Sequence, residues 1–307
     1  MIASLTDKNL LVIGLGLIGG SLAKACRQKK IFASISGFSR KAETMADALS
    51  LGLVDEVSGD IEALVSKADV IFLAVPILST SAVIAQIQPY LRNDTIVTDG
   101  GSVKGSVVKA GLELLTDDQL KMFVPGHPIA GSERSGVTAA DEHLYVDHRI
   151  ILTPIAETEP EAVQVVSQMW KSVGAEVDVM AWDYHDEVLA ATSHLPHMLA
   201  FNLVDTLSKQ SENREIFNYA AGGFRDFTRI AASDPTMWHD IFIANHRAIL
   251  KVLDNYLDEL HKLRNAVAVS DGEYMKFVFQ EAKEAREHFS EILENRARRL
   301  HRSATHE

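Results

Sequence analysis

The sequence predicts an α/β domain followed by an all-α domain, and three observations carry that reading. Near the N-terminus an apolar strand runs straight into a glycine-rich turn and then a helix. Strand candidates alternate with helical stretches as far as Met180, as a doubly wound sheet requires. Beyond Met180 the strand signals largely stop, and long segments keep apolar residues at helical spacing. A length of 307 residues suits two domains of about 150 residues each. The change of pattern divides them into 1–181, a nucleotide-binding domain, and 182–307, a helical domain.

The first strand is Leu10-Leu11-Val12-Ile13, and Gly14-Leu15-Gly16-Leu17-Ile18-Gly19 follows at once, with a helix over 21–28. Glycines at those spacings permit a tight turn, close approach of a pyrophosphate and close helix–strand packing. The phosphates would then meet the amides and positive dipole end of the helix. This is the dinucleotide-binding (Rossmann) fingerprint, and it assigns Gly14, Gly16, Leu17, Ile18 and Gly19 to the cofactor.

A second strand over 33–38 ends in Gly37-Phe38-Ser39-Arg40-Lys41, where an NAD site commonly has an acid for the ribose 2′-hydroxyl. Here a hydroxyl and two cations stand instead, which suits a 2′-phosphate and favours NADP over NAD. A helix over 42–51 comes next. The uninterrupted apolar run Val70–Val75 fits a strand buried on both faces, and Val75 and Pro76 at its end join the cofactor set. Strands over 96–99, 122–124, 148–153 and 176–180 continue the series, with helices near 79–91, 104–115 and 160–173.

After the 122–124 strand comes Pro125-Gly126-His127-Pro128. Proline and glycine on both sides predict a rigid, irregular loop for His127, at the strand end where open α/β sheets place ligands.

In the second half, 182–207 reads as one long helix that Pro196 kinks or breaks. Ser233-Asp234-Pro235 starts another, with an apolar stripe running from Trp238 to Leu260. Gly222-Gly223-Phe224-Arg225-Asp226-Phe227-Thr228-Arg229 is a glycine-opened turn bearing two arginines and an acid. Ser193 and His197 lie four apart on one helix face. Gly272 precedes a final helix whose basic end complements the helix dipole. Such apolar helices in a short domain predict burial against a second subunit.

The net charge of −12 argues against a general nucleic-acid surface. An anionic substrate would need a specific arginine. No apolar run approaches the roughly 20 residues that span a bilayer, and the first residues lack a secretory pattern. Cys26, the only cysteine, fits a reducing cytoplasm and a small core position. His185 and His194 are nine apart, half a turn out of phase on a helix. No H-E-x-x-H spacing occurs either, so no metal is expected.

Taken in order, the glycine motif, Asp99-Gly100-Gly101-Ser102-Val103-Lys104, His127-Pro128-Ile129-Ala130-Gly131-Ser132-Glu133, Ser193-His194-Leu195-Pro196-His197, Phe227-Thr228-Arg229-Ile230-Ala231 and Asp234-Pro235-Thr236-Met237-Trp238 resemble the prephenate/arogenate dehydrogenase family of tyrosine biosynthesis. The glycine motif is common to many oxidoreductases; the histidine run followed by the later motifs is specific. The resemblance implies a nucleotide domain followed by a helical dimerisation domain. It also implies oxidative decarboxylation of prephenate or arogenate, without separating the two. By the same resemblance His127 accepts the hydrogen bond of the ring hydroxyl, and Ser102 orients this pair and the nicotinamide. Arg229 binds a substrate carboxylate, His197 and Ser193 lie near the substrate side chain, and Trp238 lines the pocket. Glu133 and Asp226 stand at the entrance, where pairing with Arg229 would gate access. A mutase segment before the domain and a regulatory domain after it are not expected. The rival readings are a β-hydroxyacid dehydrogenase of similar architecture and a non-catalytic nucleotide sensor.

Overall fold

The computed structural model describes residues 4–131, 134–210 and 218–304, with side chains given as far as 292. Two compact units form, Met1–Ile249 and Leu250–Glu307.

The first unit is built on a six-stranded parallel sheet in the order β3-β2-β1-β4-β5-β6. The strands are β1 (Asn9–Ile13), β2 (Ser34–Phe38), β3 (Glu56–Val57), β4 (Val70–Leu73), β5 (Ile96–Asp99) and β6 (Phe123–Val124). The connecting helices are α1 (Leu17–Gln28), α2 (Ala42–Ser50), α3 (Ile61–Lys67), α4 (Thr80–Ile87), α5 (Gly105–Leu114) and α6 (Asp117–Lys121). Alternation along β1 feeds two cores. Leu10 and Val12 pack with Phe72, Tyr145 and Trp170 on one face; Leu11 and Ile13 pack with α3–α5 residues on the other. Cys26 lies in the first core, where burial pushes its thiol up and away from thiolate chemistry.

The parallel series expected to run on through 176–180 divides instead. Strands β7 (Gly126–Ile129), β8 (Arg149–Leu152) and β9 (Glu176–Val179) form a separate three-stranded sheet, with helix α7 (Pro160–Ser172) between β8 and β9. The expected loop around His127 is therefore a strand. His127 pairs in register with Ile151 across an antiparallel β7–β8 ladder. Pro128 is tolerated because β7 is an edge strand, where a missing amide donor leaves no ladder bond unmade.

The expected long helix over 182–207 becomes α8 (Trp182–Leu189), a π-helical turn over Ala190–His194, and α9 (Leu195–Ser208). Pro196 lies at the start of α9, directly after the π turn in which the Leu195 amide bonds back to the Ala190 carbonyl, and this wider turn accommodates the missing N–H without ending the helical path. Helix α10 (Gly222–Thr228) follows, then α11 (Pro235–Ala244), capped by the Asp234 carboxylate on the amides of Thr236 and Met237. The stripe read as one helix is interrupted at Asn245, and α12 (His246–Ala268) starts afresh. Trp238 and Ile241 of α11 pack into the same core as Val103 and Val107, which seats the helical segment on the loop after β5 and on α5. The second unit holds α12 from Leu250 onward and α13 (Gly272–Ala304). No described helix is long and apolar enough to cross a membrane, and no group of residues that could hold a metal ion occurs among the described residues.

Candidate active site

Strands β1 and β4 are neighbours, yet their following connections diverge, and this opens a crevice at their carboxyl ends. Gly14 closes β1 with φ at +99°, and a Cβ there would lie 2.2 Å from the Ala74 carbonyl oxygen. A Cβ on Gly19 would lie 1.9 Å from the Gly14 oxygen, so both glycines are demanded by packing. Gly16 differs. It caps α1 with nothing within 4 Å of its would-be Cβ, and no acid stands in the first turn of α1. Open space before unpaired helix amides fits a pyrophosphate. Leu17 and Ile18 begin α1, and the Tyr145 hydroxyl donates to the Ile18 carbonyl at 2.5 Å. Val75 and Pro76 follow β4, next to the Ala74 amide that donates to the Ile13 carbonyl at 2.8 Å. At the end of β2 the Ser39 hydroxyl accepts the Lys41 amide at 3.2 Å, and Arg40 and Lys41 are exposed. The cofactor residues named from the sequence thus follow the ends of three adjacent strands, β2, β1 and β4.

Beyond β5 the loop carrying Ser102 is fastened from both ends. The wholly buried Lys104 ammonium pairs with Asp99 Oδ2 and donates to the Gly126 carbonyl at 2.5 Å. Asp99 in turn accepts the Gly101 amide at 2.8 Å and the Gly126 amide at 3.0 Å. This pair joins the end of β5, the Ser102 loop and the residue before His127. Burial pulls the Lys104 ammonium down from its usual range, and the Asp99 carboxylate opposes that pull.

His127 is buried, with Nδ1 2.9 Å from His185 Nε2. His185 Nδ1 lies 2.8 Å from Asp186 Oδ1. Asp186 accepts the Lys104 amide at 2.8 Å and the Gly105 amide at 2.7 Å, capping α5 from outside its own helix. The Asp186 carbonyl accepts Asn245 Nδ2 at 2.9 Å, and the same amide nitrogen lies 3.2 Å from His194 Nδ1. Burial first, then the charges of His185, Lys104 and His194, hold His127 well below the ordinary histidine range, so it is a neutral base. Burial likewise pushes His194 down to about 4.

His197 stacks on Trp238 with ring centres 3.7 Å apart, and its Nδ1 donates to the Ser193 carbonyl at 2.8 Å. The relation of Ser193 to His197 is therefore a backbone one. Burial lowers the His197 imidazole and the bond to Ser193 raises it; the Arg229 charge lowers it further, which places that cation within electrostatic reach of His197. Trp238 is buried, and its Nε1 finds no partner among the described residues. Asp226 lies beside Arg225 at 3.7 Å, with both side chains largely exposed. Glu133 lies outside the described residues.

Sequence reasoning missed the support beneath His127. It quoted Asp99 and Lys104 in a motif without giving them work, and weighed His185 only as a metal ligand. Asp186 and Asn245 went unnoticed. A buried strand ending in Asp with Lys five residues on was the one available signal, since strand interiors rarely hide unpaired charge.

A crevice shaped for a dinucleotide and a neutral base buried just past it are the working parts of a nucleotide-dependent oxidoreductase. Family models narrow this class: residues 22–179 match the prephenate dehydrogenase nucleotide-binding domain, and 182–281 match the prephenate dehydrogenase dimerization domain. The chain belongs to the prephenate dehydrogenase family. It is 40% identical to a cyclohexadienyl dehydrogenase of Zymomonas mobilis, over 91% of this chain and 95% of that one. It is 36% identical to a prephenate dehydrogenase of Bacillus subtilis, over 91% and 75%. Among solved structures, prephenate dehydrogenase from Aquifex aeolicus in complex with hydroxyphenyl propionate and NAD+ superposes with a TM-score of 0.87 at 36% identity, over 94% of this chain and all of that one. Synechocystis arogenate dehydrogenase superposes at 0.79 and 30% identity, over 92% and 99%.

Proposed function

We propose that this chain catalyses the oxidative decarboxylation of prephenate or arogenate, giving 4-hydroxyphenylpyruvate or tyrosine, CO2 and a reduced nicotinamide. The observation that carries the reading is His127: a buried imidazole held neutral, with Nδ1 engaged by His185 and no bond to Nε2 from the described residues. Gly14, Gly16, Leu17, Ile18, Gly19, Val75 and Pro76 hold the dinucleotide, which when bound supplies the acceptor for the hydride leaving the hydroxyl-bearing ring carbon. His127 accepts a hydrogen bond from that hydroxyl and polarises its C–O bond. As the carbonyl develops the hydroxyl proton leans onto His127 Nε2, and it returns to the oxygen as the ring carboxylate leaves as CO2 and the phenol forms. Ser102, on the loop stapled by Lys104, orients the hydroxyl beside His127. Aromatisation drives loss of the ring carboxylate, which asks little of the protein.

Arg229 receives a substrate carboxylate with its planar fork. His197, Ser193 and Trp238 line the side-chain end, where a ligand acceptor would satisfy the orphaned Trp238 N–H. Glu133 and Asp226 belong to the entrance. The activity is tested by following nicotinamide absorbance with prephenate, arogenate and a panel of β-hydroxyacids; turnover of the hydroxyacids alone would refute it. Arg229→Ala is expected to raise KM by about 10–100-fold, the scale of a lost charged hydrogen bond, with a lesser change in kcat. An effect confined to kcat would remove Arg229 from carboxylate binding.

Ser39, Arg40 and Lys41 favour NADP, because two exposed cations and a hydroxyl suit a 2′-phosphate. Titration with both nucleotides should show NADP binding tighter, and Arg40→Ala with Lys41→Ala should abolish the difference. NAD binding tighter to the parent chain would overturn this. A homodimer through the helical segment accounts for exposed Leu257, Leu260, Phe277, Phe279, Phe289 and Ile292. A monomer by light scattering at assay concentration would refute it. A cytoplasmic place for this chemistry accords with Cys26 as a buried, unpaired thiol.

A further inference from the structure

We propose that His185 and Asp186 are positioning residues that lock His127 in its Nδ1–H tautomer, so that an unprotonated Nε2 faces the substrate hydroxyl. The inference rests on the reading of His127 as hydrogen-bond acceptor and supplies its cause.

Asp186 sets the direction of the chain. Its Oδ1 accepts the Lys104 amide and its Oδ2 the Gly105 amide, at 2.8 and 2.7 Å. Both oxygens are acceptors, so the contact of 2.8 Å from His185 Nδ1 requires His185 to donate there. A neutral imidazole carries one proton, and His185 has placed its own on Nδ1. Its Nε2 is then a lone pair, and the 2.9 Å contact to His127 Nδ1 is made only if His127 donates. That donation places the single proton of His127 on Nδ1 and leaves Nε2 as the acceptor. The opposite arrangement needs a doubly protonated His185. Burial and the Lys104 charge both disfavour that cation, and Asp186 only partly offsets them.

The relay is rigid at both ends. His185 is fully buried. Asp186 is held by the first amides of α5 through its carboxylate and by Asn245 through its carbonyl. A Cβ on Gly105 would lie 2.9 Å from Asp186 Oδ2, so the small residue at that position keeps room for the carboxylate. When the substrate proton leans toward Nε2, positive charge developing on His127 is met through His185 by the Asp186 carboxylate. The logic is that of a carboxylate orienting a catalytic imidazole.

The test reads the tautomer directly. Protein without substrate, labelled with 15N-histidine, is examined by long-range 1H–15N correlation, with the His127 signals assigned by their loss in His127→Asn. The parent chain should show His127 as Nδ1–H. His185→Phe, which cannot accept, should move it toward Nε2–H, whereas His185→Gln, whose amide oxygen can accept, should keep it. In kinetics His185→Phe should lower kcat by about 10²-fold, within the range for a misoriented base, with KM little changed, and His185→Gln should restore much of the loss. An Nε2–H tautomer in the parent chain, or an unchanged tautomer and kcat in His185→Phe, overturns the proposal. If His185→Phe does not fold, the parent spectrum and His185→Gln still decide it. The spectrum needs no turnover, so absence of prephenate or arogenate activity would refute the proposed function while leaving the relay to its own result.

Discussion

Replacing His127 by Asn is expected to lower kcat by about 10²–10⁴-fold, the usual contribution of a positioned base, while nucleotide affinity stays near the parent value. The residues proposed for the nucleotide follow β1, β2 and β4, whereas His127 belongs to β7 of the second sheet, so the two proposed functions separate. Steady-state kinetics together with nucleotide titration measure both. Retained turnover would remove His127 from the chemistry. The pH profile gives a second reading with a definite sign. Burial, His185, Lys104 and His194 all hold the His127 pKa well below 6.5. The neutral, accepting form therefore persists as pH falls through 6.5, and the His127 limb of kcat/KM should appear only well below that value. A limb at or above 6.5 that vanishes in His127→Asn would contradict the electrostatics described here.

Lys104→Met is expected to destabilise the fold by about 3–5 kcal/mol, the cost of leaving one member of a buried ion pair alone. The substitution strands the Asp99 carboxylate, whose side chain is 2% exposed, and removes the donor to the Gly126 carbonyl. Asp99 would retain the amides of Gly101 and Gly126, which moderates the loss without neutralising the charge. Denaturant unfolding of the parent and variant chains measures it, and a change below about 1 kcal/mol would show that the pair contributes little net stability. Activity should fall as well, since the same ammonium ties the Ser102 loop to the residue before His127.

The nucleotide crevice was legible in the sequence because its requirements are local. Gly14 needs a positive φ and Gly19 a close contact, and both follow from a strand, a turn and a helix in immediate succession. The division into two sheets was not legible. Pro125, Gly126 and Pro128 look like loop punctuation at close range, and only pairing with β8, more than twenty residues later, makes a strand of them. The break at Asn245 was hidden for a similar reason. Its side chain is drawn inward to the Asp186 carbonyl, a partner 59 positions away.

By itself the sequence determined the dinucleotide fold, the family and the identity of His127, Ser102 and Arg229 as residues to examine. Those depend on residue types at short spacings, where backbone sterics and side-chain chemistry act directly. Only the tertiary structure decided that His127 meets His185, 58 positions away, and that Asp186 stands behind them on the amides of Lys104 and Gly105. Hydrogen bonds of that kind exist once β7 pairs with β8 and α8 docks on α5, because a proton donor and its acceptor must come within about 3 Å.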